Sequence, residues 1–166
     1  MTIEWQPMRY HDLAEVVALS KRIHPGLPED RAVQAKRLTL WPDGCKVLQH
    51  DQKVMGYTFA HPIPAGDIPR LNTAPDRIEP DSSEFYLHDI AVDPAVHGRG
   101  LAALIIRQLL AEAQAYESSA LISVYGTAPF WERFGFAPVV GDEMAERLAS
   151  YGEGAVFMRR LNRPPS

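Results

Sequence analysis

A glycine-containing turn between a predicted strand and a predicted helix constrains the fold of this chain more than any other feature. The apolar run at residues 85–92 predicts a buried strand, which ends before Pro94. Gly98 and Gly100 then open a helix predicted over residues 101–116, apolar along one side. Glycine lets the backbone approach a ligand closely, and the first turn of a helix offers free N–H groups and positive potential. The junction therefore suits a phosphate or pyrophosphate group.

The remaining pattern predicts an α/β (α+β) fold built on a mixed sheet. Short apolar or alternating runs bounded by turn residues indicate strands, and longer runs with a 3.6-residue apolar period indicate helices. The predicted order is β-α-α-β-β-β-α-β-α-β, with helices on the faces of the sheet. The other predicted strands are residues 3–6, 46–50, 54–61, 121–125 and 154–160, and the other predicted helices are 11–23, 28–40, 129–134 and, outside that order, 142–150.

Length and charge exclude several classes of function. The 166 residues suit one domain, and we expect residues 1–166 to form a single one. The 17 Lys and Arg against 21 Asp and Glu give a net charge of −4, so no cationic surface for nucleic acid or an anionic membrane is expected. No apolar run approaches the ~20 residues that span a bilayer, and the first residues do not resemble a signal peptide. We expect a cytoplasmic protein, and both a monomer and a homodimer are compatible with the sequence.

The segment from residue 62 to residue 80 is unusually rich in proline. It carries five of the 14 prolines in the chain. A connection of about twenty residues without secondary structure is uncommon in a compact domain unless it is functional or disordered. Because prolines lower the entropy of the unfolded chain, we expect an ordered covering loop rather than a flexible linker.

Two nucleotide-binding patterns fit the glycine turn. The residues from Gly98 to Ala103 match the dinucleotide pattern G-x-G-x-x-A, whose first glycine directly follows a strand. Here residues 93–97 intervene, and the next predicted strand ends without the acidic residue that such a site needs. The residues from His97 to Ala102 resemble motif A of the GCN5-related N-acetyltransferases, the GNAT superfamily, whose pyrophosphate loop is Q/R-x-x-G-x-G/A. His97 is the departure, because the family usually has Gln or Arg there.

A second block supports this resemblance. The residues from Ala128 to Phe136 are similar to motif B of the family, in which F-Y-x-x-x-G-F is common. The block follows the strand after the motif A helix, as it does in the family, and the two blocks together are far more specific than either alone. The resemblance implies a GNAT fold: a mixed, mostly antiparallel central sheet, helices on both faces, and a splayed pair of strands that holds acyl-CoA.

The resemblance also implies an acetyl-CoA-dependent N-acetyltransferase that acetylates a primary amine of a small molecule. Acetyl-CoA is the implied co-substrate, the amine attacks the thioester directly, and neither a metal nor a covalent intermediate is needed. Backbone N–H groups of the turn would hold the pyrophosphate, and the pantetheine would run along the preceding strand. The residues implied to bind CoA are His97, Gly98, Arg99, Gly100, Leu101 and Ala102 in the turn, Ile90, Ala91 and Val92 in the strand, and Phe130, Trp131 and Arg133 in motif B.

The expected catalytic base is His88. It matches a strand position at which the arylalkylamine branch of the family places a histidine for deprotonation, and an imidazole titrates near pH ~6.5. Alternation along the strand puts Tyr86 on the same face, where it would line the acceptor pocket. Asp89 points to the other face unless a bulge turns it, which favours a structural role. Glu84, at the strand entrance, is a further candidate for the base.

The catalytic acid is where the sequence departs most from the family. Members with the F-Y form of motif B use that tyrosine to protonate the departing thiolate, and Trp131 takes its place here. An indole N–H donates a hydrogen bond but is not a proton-transfer acid near neutral pH. We therefore assign the acid to Tyr125, at the end of the predicted splayed strand, with water as the alternative. Asn72, in the proline-rich segment, is expected to contact the acceptor.

Two other functions stay open on the sequence. Without the tyrosine of motif B, the same fold would serve as a catalytically silent acyl-CoA-binding module that senses CoA or regulates a partner. The dinucleotide pattern leaves a nicotinamide-dependent dehydrogenase. Release of free thiol from acetyl-CoA tests the first alternative, and comparison of CoA with NAD as a ligand tests the second.

Overall fold

A seven-stranded sheet forms the centre of the protein. The structure, a computed structural model, describes residues 2–141 and 144–162. The strands are β1 (Ile3–Pro7), β2 (Lys46–His50), β3 (Lys53–Ile63), β4 (Glu84–Val92), β5 (Ser118–Ser123), β6 (Ala137–Pro138) and β7 (Val156–Leu161). They lie in the order β1-β2-β3-β4-β5-β7-β6. Neighbouring strands are antiparallel except β4 and β5, which are parallel.

Helices pack on both faces of this sheet. The described residues form α1 (Leu13–Ile23), α2 (Arg31–Leu40), α3 (Leu101–Glu112), α4 (Ala128–Glu132) and α5 (Ala145–Ala149). On one face, α1 and α2 pack on β2 and β3 through a buried cluster that includes Leu13 and Val47. On the other, α3 packs on β4 and β5 through a cluster that includes Ile105 and Leu121. The predicted fold, a mixed and mostly antiparallel α/β sheet with helices on both faces, is confirmed.

One error in an element boundary concerns the start of β5. The strand predicted at residues 121–125 begins three residues earlier, at Ser118. Two serines start it because their hydroxyls are satisfied in the interior: Ser118 donates to Glu84 and Ser119 donates to Asn162. A polar start of this kind carries no apolar signal, so the pattern places the strand too late.

Other elements also differ from their predicted bounds. The helix predicted to residue 116 ends as an α-helix at Glu112 and continues as a short 3-10 turn. β6 is not predicted, because two residues are too few to show a period. Of the helix predicted at residues 142–150, α5 covers the middle, and residues 142–143 lie outside the described residues.

The parallel strands β4 and β5 separate halfway along their length. They pair from Glu84 with Ser118 to Leu87 with Leu121, and β4 then continues beside β3 alone. The edge of β4 that faces β5 is therefore open beyond Leu87. This is the splayed pair that the family resemblance implies.

A β-bulge lies where the two strands part. Phe59 of β3 is opposite Asp89, but the next residue, Ala60, is opposite Leu87, so His88 is the extra residue of β4. A bulge interrupts the strict alternation of side chains and redirects those beside it. The sequence prediction for Asp89 depends on the absence of such a bulge.

The proline-rich connection between β3 and β4 is anchored at several points. Ile68 is fully buried, and the Pro69 carbonyl accepts a 2.8 Å hydrogen bond from the Tyr151 hydroxyl. Further along, the Thr73 carbonyl accepts a hydrogen bond from Arg37 of α2. The connection therefore spans from α2 to the residues after α5 and covers the open end of the β4–β5 pair.

Candidate active site

The glycine turn has the backbone geometry that a phosphate site needs. Gly98 and Gly100 have φ angles of 80° and 71°, which favour glycine over other residues, and Gly100 caps α3. A Cβ placed at either position would meet no atom within 4 Å, so the space in front of the turn is open. The His97 ring donates to the Val92 carbonyl at 2.8 Å and is thus used by the turn itself. What the turn offers a ligand is backbone N–H groups, which fit the pyrophosphate of CoA.

The end of β4 offers an extended backbone beside this turn. Ile90, Ala91 and Val92 pair with β3 on one side only, opposite Thr58, Tyr57 and Gly56. The other edge faces the gap left by β5. This arrangement is compatible with a pantetheine chain bound along β4, and the assignment of these residues stays a prediction.

The motif B residues divide between two places. Phe130 and Trp131 pack edge to face at 5.1 Å and join the aromatic cluster under α4, with the Trp131 ring also 5.9 Å from Phe136. Both are half-buried. Arg133 instead lies past the end of α4 and lines a cleft with residues of α3 and β7. The structure therefore separates Arg133 from Phe130 and Trp131, and the contact with CoA that the resemblance implies for it stays a prediction.

A small cavity lies where β4 and β5 separate. Its volume is about 40 Å³. Residues from five parts of the chain surround it, including the connection between α1 and α2, the bulge of β4 and the proline-rich connection. Its lining residues are His24, Leu27, Glu29, Leu71, His88, Asp89, Ile122, Val124 and Tyr151.

His88 belongs to a buried chain of polar groups. Its Nε2 lies 2.8 Å from Glu29 Oε1, and Glu29 forms a two-point ion pair with Arg37. The three side chains are 2%, 5% and 1% exposed, so the chain is shielded from water. Burial favours the protonated form of Glu29, but His88 and Arg37 outweigh it and hold the pKa of that carboxyl well below its usual range. The carboxylate is therefore charged, and it accepts a hydrogen bond from His88 Nε2–H.

This contact leaves the other nitrogen of His88 available. Nδ1 is buried and has no hydrogen-bond partner among the described residues. With the proton on Nε2, Nδ1 carries the lone pair that a general base needs. The bulge thus presents a histidine whose orientation Glu29 sets.

A second histidine and carboxylate line the same cavity. Asp89 accepts a 2.6 Å hydrogen bond from the Tyr57 hydroxyl, and its other oxygen lies 3.2 Å from His24 Nε2. Burial of His24 opposes protonation, but Asp89 and the more distant Glu29 outweigh it and raise the pKa of His24. The bulge brings Asp89 to the cavity beside His88, which strict alternation along the strand does not predict.

Sequence reasoning missed His24 and Glu29. Both lie in the connection between α1 and α2, which matches no motif and has no apolar period. In the sequence prediction, Glu29 falls in the first turn of the helix expected at residues 28–40, which gives it no role at a site. The signal that remains is compositional: a histidine and a carboxylate in one short connection.

Tyr86 does not line the acceptor pocket as predicted. Its side chain is fully buried, and burial raises its pKa well above the ordinary value. Its hydroxyl lies 3.4 Å from that of Tyr151, and its ring lies 5.6 Å from His88. The position below the bulge explains the difference: Tyr86 supports the cavity residues from the protein interior.

Asn72 is likewise occupied by the protein. Its backbone N–H donates to the Glu29 carboxylate at 2.8 Å. Its side-chain oxygen accepts a hydrogen bond from the Asp30 backbone N–H, and its side-chain NH₂ donates to the Asp30 carboxylate. Its left-handed backbone, with φ of 59°, suits asparagine. The structure therefore gives Asn72 the role of holding Glu29 and the start of α2 rather than the acceptor.

Tyr125 lies at the mouth of the cavity. It is 61% exposed, and its ring stacks on His24 at 5.6 Å. Partial burial and the Asp89 carboxylate raise the pKa of Tyr125. Its role as the acid stays a prediction.

Glu84 is held away from the cavity. It accepts hydrogen bonds from Arg159 and Ser118, and burial, which would raise its pKa, is outweighed by these donors, which lower it. This carboxylate is a structural ion-pair partner, and the structure does not support it as the base.

The comparison with known proteins agrees with this fold and arrangement. A sequence model of the acetyltransferase (GNAT) family matches residues 10–136. The chain therefore belongs to the acetyltransferase (GNAT) family, whose members are acyl-CoA-dependent acyltransferases. A mostly antiparallel sheet also differs from the parallel sheet of a dinucleotide-binding domain, which removes the dehydrogenase alternative. No curated protein sequence matches the chain as a relative.

Several solved structures share the fold. The GphF GNAT-like decarboxylase in complex with isobutyryl-CoA superposes with a TM-score of 0.76 at 23% identity, over 96% of this chain and 100% of that one. The loading GNATL domain of CurA from Lyngbya majuscula gives 0.78 at 13% identity, over 98% of both chains. Rv2747 from Mycobacterium tuberculosis, in complex with CoA and NLQ, gives 0.67 at 17% identity, over 95% of this chain and 98% of that one. At these identities the likeness shows the fold alone.

Two further properties concern the described residues: a possible metal site and a possible membrane-spanning helix. Among them, no three His, Cys, Asp or Glu side chains are grouped so that they could hold a metal ion. No helix within the same residues has the length and apolar character needed to cross a bilayer.

Proposed function

We propose that this protein transfers an acetyl group from acetyl-CoA to a primary amine of a small molecule, with His88 as the general base. The observation that carries the proposal is the His88–Glu29–Arg37 chain at the open end of the β4–β5 pair. It presents an imidazole nitrogen beside the place where a thioester enters when the CoA pyrophosphate lies on the glycine turn. Membership of the acetyltransferase family supplies the donor.

The reaction is a direct transfer. The amine nitrogen attacks the thioester carbon, and a backbone N–H near Ile90 or Ala91 stabilises the developing oxyanion. His88 Nδ1 takes the proton that the amine loses, and Glu29 stabilises the imidazolium. The carbon–sulfur bond then breaks, and the CoA thiolate receives a proton from Tyr125 or from water. The products are the acetylated amine and free CoA.

The cavity favours a small or slender acceptor. Its volume of about 40 Å³ admits only the reacting end of a molecule. Two carboxylates, Glu29 and Asp89, line it, and both face histidines that can share a proton with them. Such a lining favours an amine that arrives as a cation and must lose a proton before it attacks.

Thiol release from acetyl-CoA with a panel of small primary amines tests the proposal. We expect turnover with at least one amine, and a loss of about 10²–10⁴-fold in kcat for His88→Gln. The loss should become smaller at high pH, where the amine is already unprotonated and needs no base. His11→Gln, which changes an exposed histidine, is the matched control. CoA binding without turnover on any amine would favour the silent acyl-CoA-binding module, and an unchanged pH profile in His88→Gln would reject His88 as the base.

A second candidate is decarboxylation of a carboxyacyl-CoA. The raised pKa of His24 favours an imidazolium at the wall of the cavity, which suits both a substrate carboxylate and a later proton donation. In this reaction the bond from the α-carbon to the carboxylate breaks, CO₂ leaves, and a proton from His24 goes to the α-carbon. GphF, which shares the fold, is described as a GNAT-like decarboxylase. Incubation with malonyl-CoA separates the candidates, because decarboxylation yields acetyl-CoA and CO₂ without free thiol.

A further inference from the structure

A cleft separate from the cavity lies between α3, the end of α4 and β7. Its volume is about 420 Å³, within the range of small-molecule sites. Three arginines surround a floor that is partly apolar. The lining residues are Arg107, Leu110, Ala111, Gln114, Arg133, Phe134 and Arg160.

The three arginines of this cleft have no carboxylate partner within the part of the chain that the structure describes. Among the described residues, neither Arg107 nor Arg133 nor Arg160 lies within 4.0 Å of an acidic group. Six other arginines of the chain do form ion pairs: Arg22, Arg37, Arg70, Arg77, Arg147 and Arg159. The cleft therefore gathers positive charge in a protein whose net charge is −4.

Arg160 carries the strongest indication of a ligand. Its Nη1 is shielded from solvent and has no hydrogen-bond partner among the described residues. The side chain also lies against Gly135, where an added Cβ would approach Arg160 Nε to 3.4 Å. A charged donor held in place without an acceptor is costly. An anion in the cleft would lie beside this guanidinium and lower that cost by attraction between opposite charges.

The cleft is distinct from the glycine turn. Arg107 lies seven residues after Gly100, about 10 Å further along the axis of α3. Arg160 is opposite Ser119, near the start of β5, whereas β4 and β5 separate after Leu121. Acyl transfer at the cavity thus leaves these arginines without a role.

We propose that this arginine cleft binds the phosphate group of a small molecule. Guanidinium groups present forked donors that match two oxygens of a phosphate at once, and several of them around one pocket favour a dianion. Gln114 supplies a further polar group, and Leu110 and Phe134 would contact the uncharged part of the ligand. The phosphate comes either from a free phosphorylated molecule or from the 3′-phosphate of a bound CoA.

Titration with inorganic pyrophosphate tests the proposal and separates these sources. The protein is first saturated with CoA, or in a parallel sample with 3′-dephospho-CoA, so that the glycine turn is filled. Binding of pyrophosphate is then measured by calorimetry at constant ionic strength. We expect Arg160→Gln, alone and with Arg107→Gln, to weaken this binding by about tenfold or more. Arg31→Gln, an exposed arginine at the start of α2, is the matched control.

Each outcome decides the matter. Pyrophosphate binding to both samples supports a free phosphorylated ligand, and binding only to the dephospho-CoA sample supports the 3′-phosphate of CoA as the natural occupant. The proposal is overturned if pyrophosphate binds to neither sample, or if Arg160→Gln binds it as well as Arg31→Gln does. Failure of CoA itself to bind would contradict the proposed function instead, and the arginine variants would then be compared in the unliganded protein.

Discussion

His88 owes its position to one extra residue in β4. An unbulged strand would direct His88 and Asp89 to opposite faces of the sheet. Because the bulge falls at His88, both side chains line one cavity. His88 lies beside the carboxylate of Glu29, and Asp89 lies beside the imidazole of His24. The cavity therefore holds two histidine–carboxylate pairs with different surroundings, one dry and anchored by Arg37, the other under the exposed ring of Tyr125.

Replacement of Glu29 by glutamine tests whether this residue positions and supports His88. We expect Glu29→Gln to lose part of the roughly 10²–10⁴-fold contribution of the base to kcat. The rising limb of the pH profile of kcat/KM should move to lower pH, because the imidazolium loses its carboxylate partner. The variant should also unfold more easily, by about 3–5 kcal/mol, since Arg37 stays buried without its counter-charge.

Glu84→Gln is the matched control for this measurement. It also removes a buried carboxylate from an ion pair, with Arg159, but outside the cavity. It should lower stability and leave the pH profile unchanged. If both variants leave the profile unchanged, Glu29 has only a structural role.

At the scale of single residues, the sequence predicts those that stand at a fixed distance from a motif. It does not predict the residues that contact them in the folded protein. His88 is identifiable because it stands at a fixed distance from the glycine turn, inside a strand that the pattern identifies. Glu29 and His24 reach it through the tertiary fold, from a connection with no pattern of its own. The prediction for Tyr86 is wrong because alternation tells which face a side chain takes but not whether the next layer buries it.

Among the elements, the turn before α3 has the least freedom. Two left-handed glycines two residues apart reverse the chain, and the Trp5 indole donates to the Leu101 carbonyl at 2.9 Å, which ties the helix start to β1. Since nothing contacts the outer side of either glycine, the turn is shaped for close approach rather than for packing.

Substitution of Gly100 separates charge from backbone geometry. We expect Gly100→Asp to abolish CoA binding, because its carboxylate repels the pyrophosphate. Gly100→Asn has nearly the same size, tolerates the left-handed conformation and carries no charge, so it should keep measurable affinity. The two variants should unfold at similar temperatures, since the added Cβ meets no atom within 4 Å. Equal CoA affinities, measured by calorimetry, would show that the pyrophosphate does not bind here.

A helix or strand is predictable from the sequence where burial of one face imposes a regular spacing on its apolar residues. α1, α3 and the β2–β3 hairpin follow from their apolar spacing and turn residues. β5 begins with buried serines and β6 has two residues, so neither start is visible. The bulge depends on the pairing of β3 with β4, which a single strand's sequence does not encode.

For the whole molecule, acid should weaken the fold. The pKa values of Glu29 and Glu84 are lower in the folded protein than the ~4.3 of an unfolded chain, so their stabilisation is present above that pH and is lost as the pH falls. Burial lowers the pKa of His61 to about 4 in the folded protein. As the pH falls below ~6.5, the unfolded chain therefore binds a proton on this residue before the folded chain does, and the free energy of unfolding falls. His24, whose pKa is raised, acts in the opposite direction.

Urea unfolding between pH 7 and pH 4 measures this effect. We expect His61 to account for about 3 kcal/mol of lost stability over that range, with a further decline below it as the carboxylates protonate. In His61→Gln the decline between pH 7 and pH 4 should be much smaller. A wild-type stability that stays constant over this range would contradict the expectation.

The architecture of the whole molecule is predictable from two short motifs, and its surface features are not. Motifs A and B identify the family, and the family implies the sheet and its splayed pair. The arginine cleft joins Arg107, Arg133 and Arg160, which are spread over more than fifty residues, and no local pattern connects them. Charge totals hide it as well, since the chain is acidic overall.

The place of β7 in the sheet has a consequence for synthesis of the chain. β1 to β4 are neighbours in both sequence and space, so they can assemble as soon as they emerge from the ribosome. β6, by contrast, pairs only with β7, which is inserted between it and β5. The nascent chain therefore carries β5 with an unpaired edge, and β6 with no strand beside it, until residue 161 has been made. The half of the sheet beyond β4 closes last, and chaperones that shield exposed strand edges would act on this half.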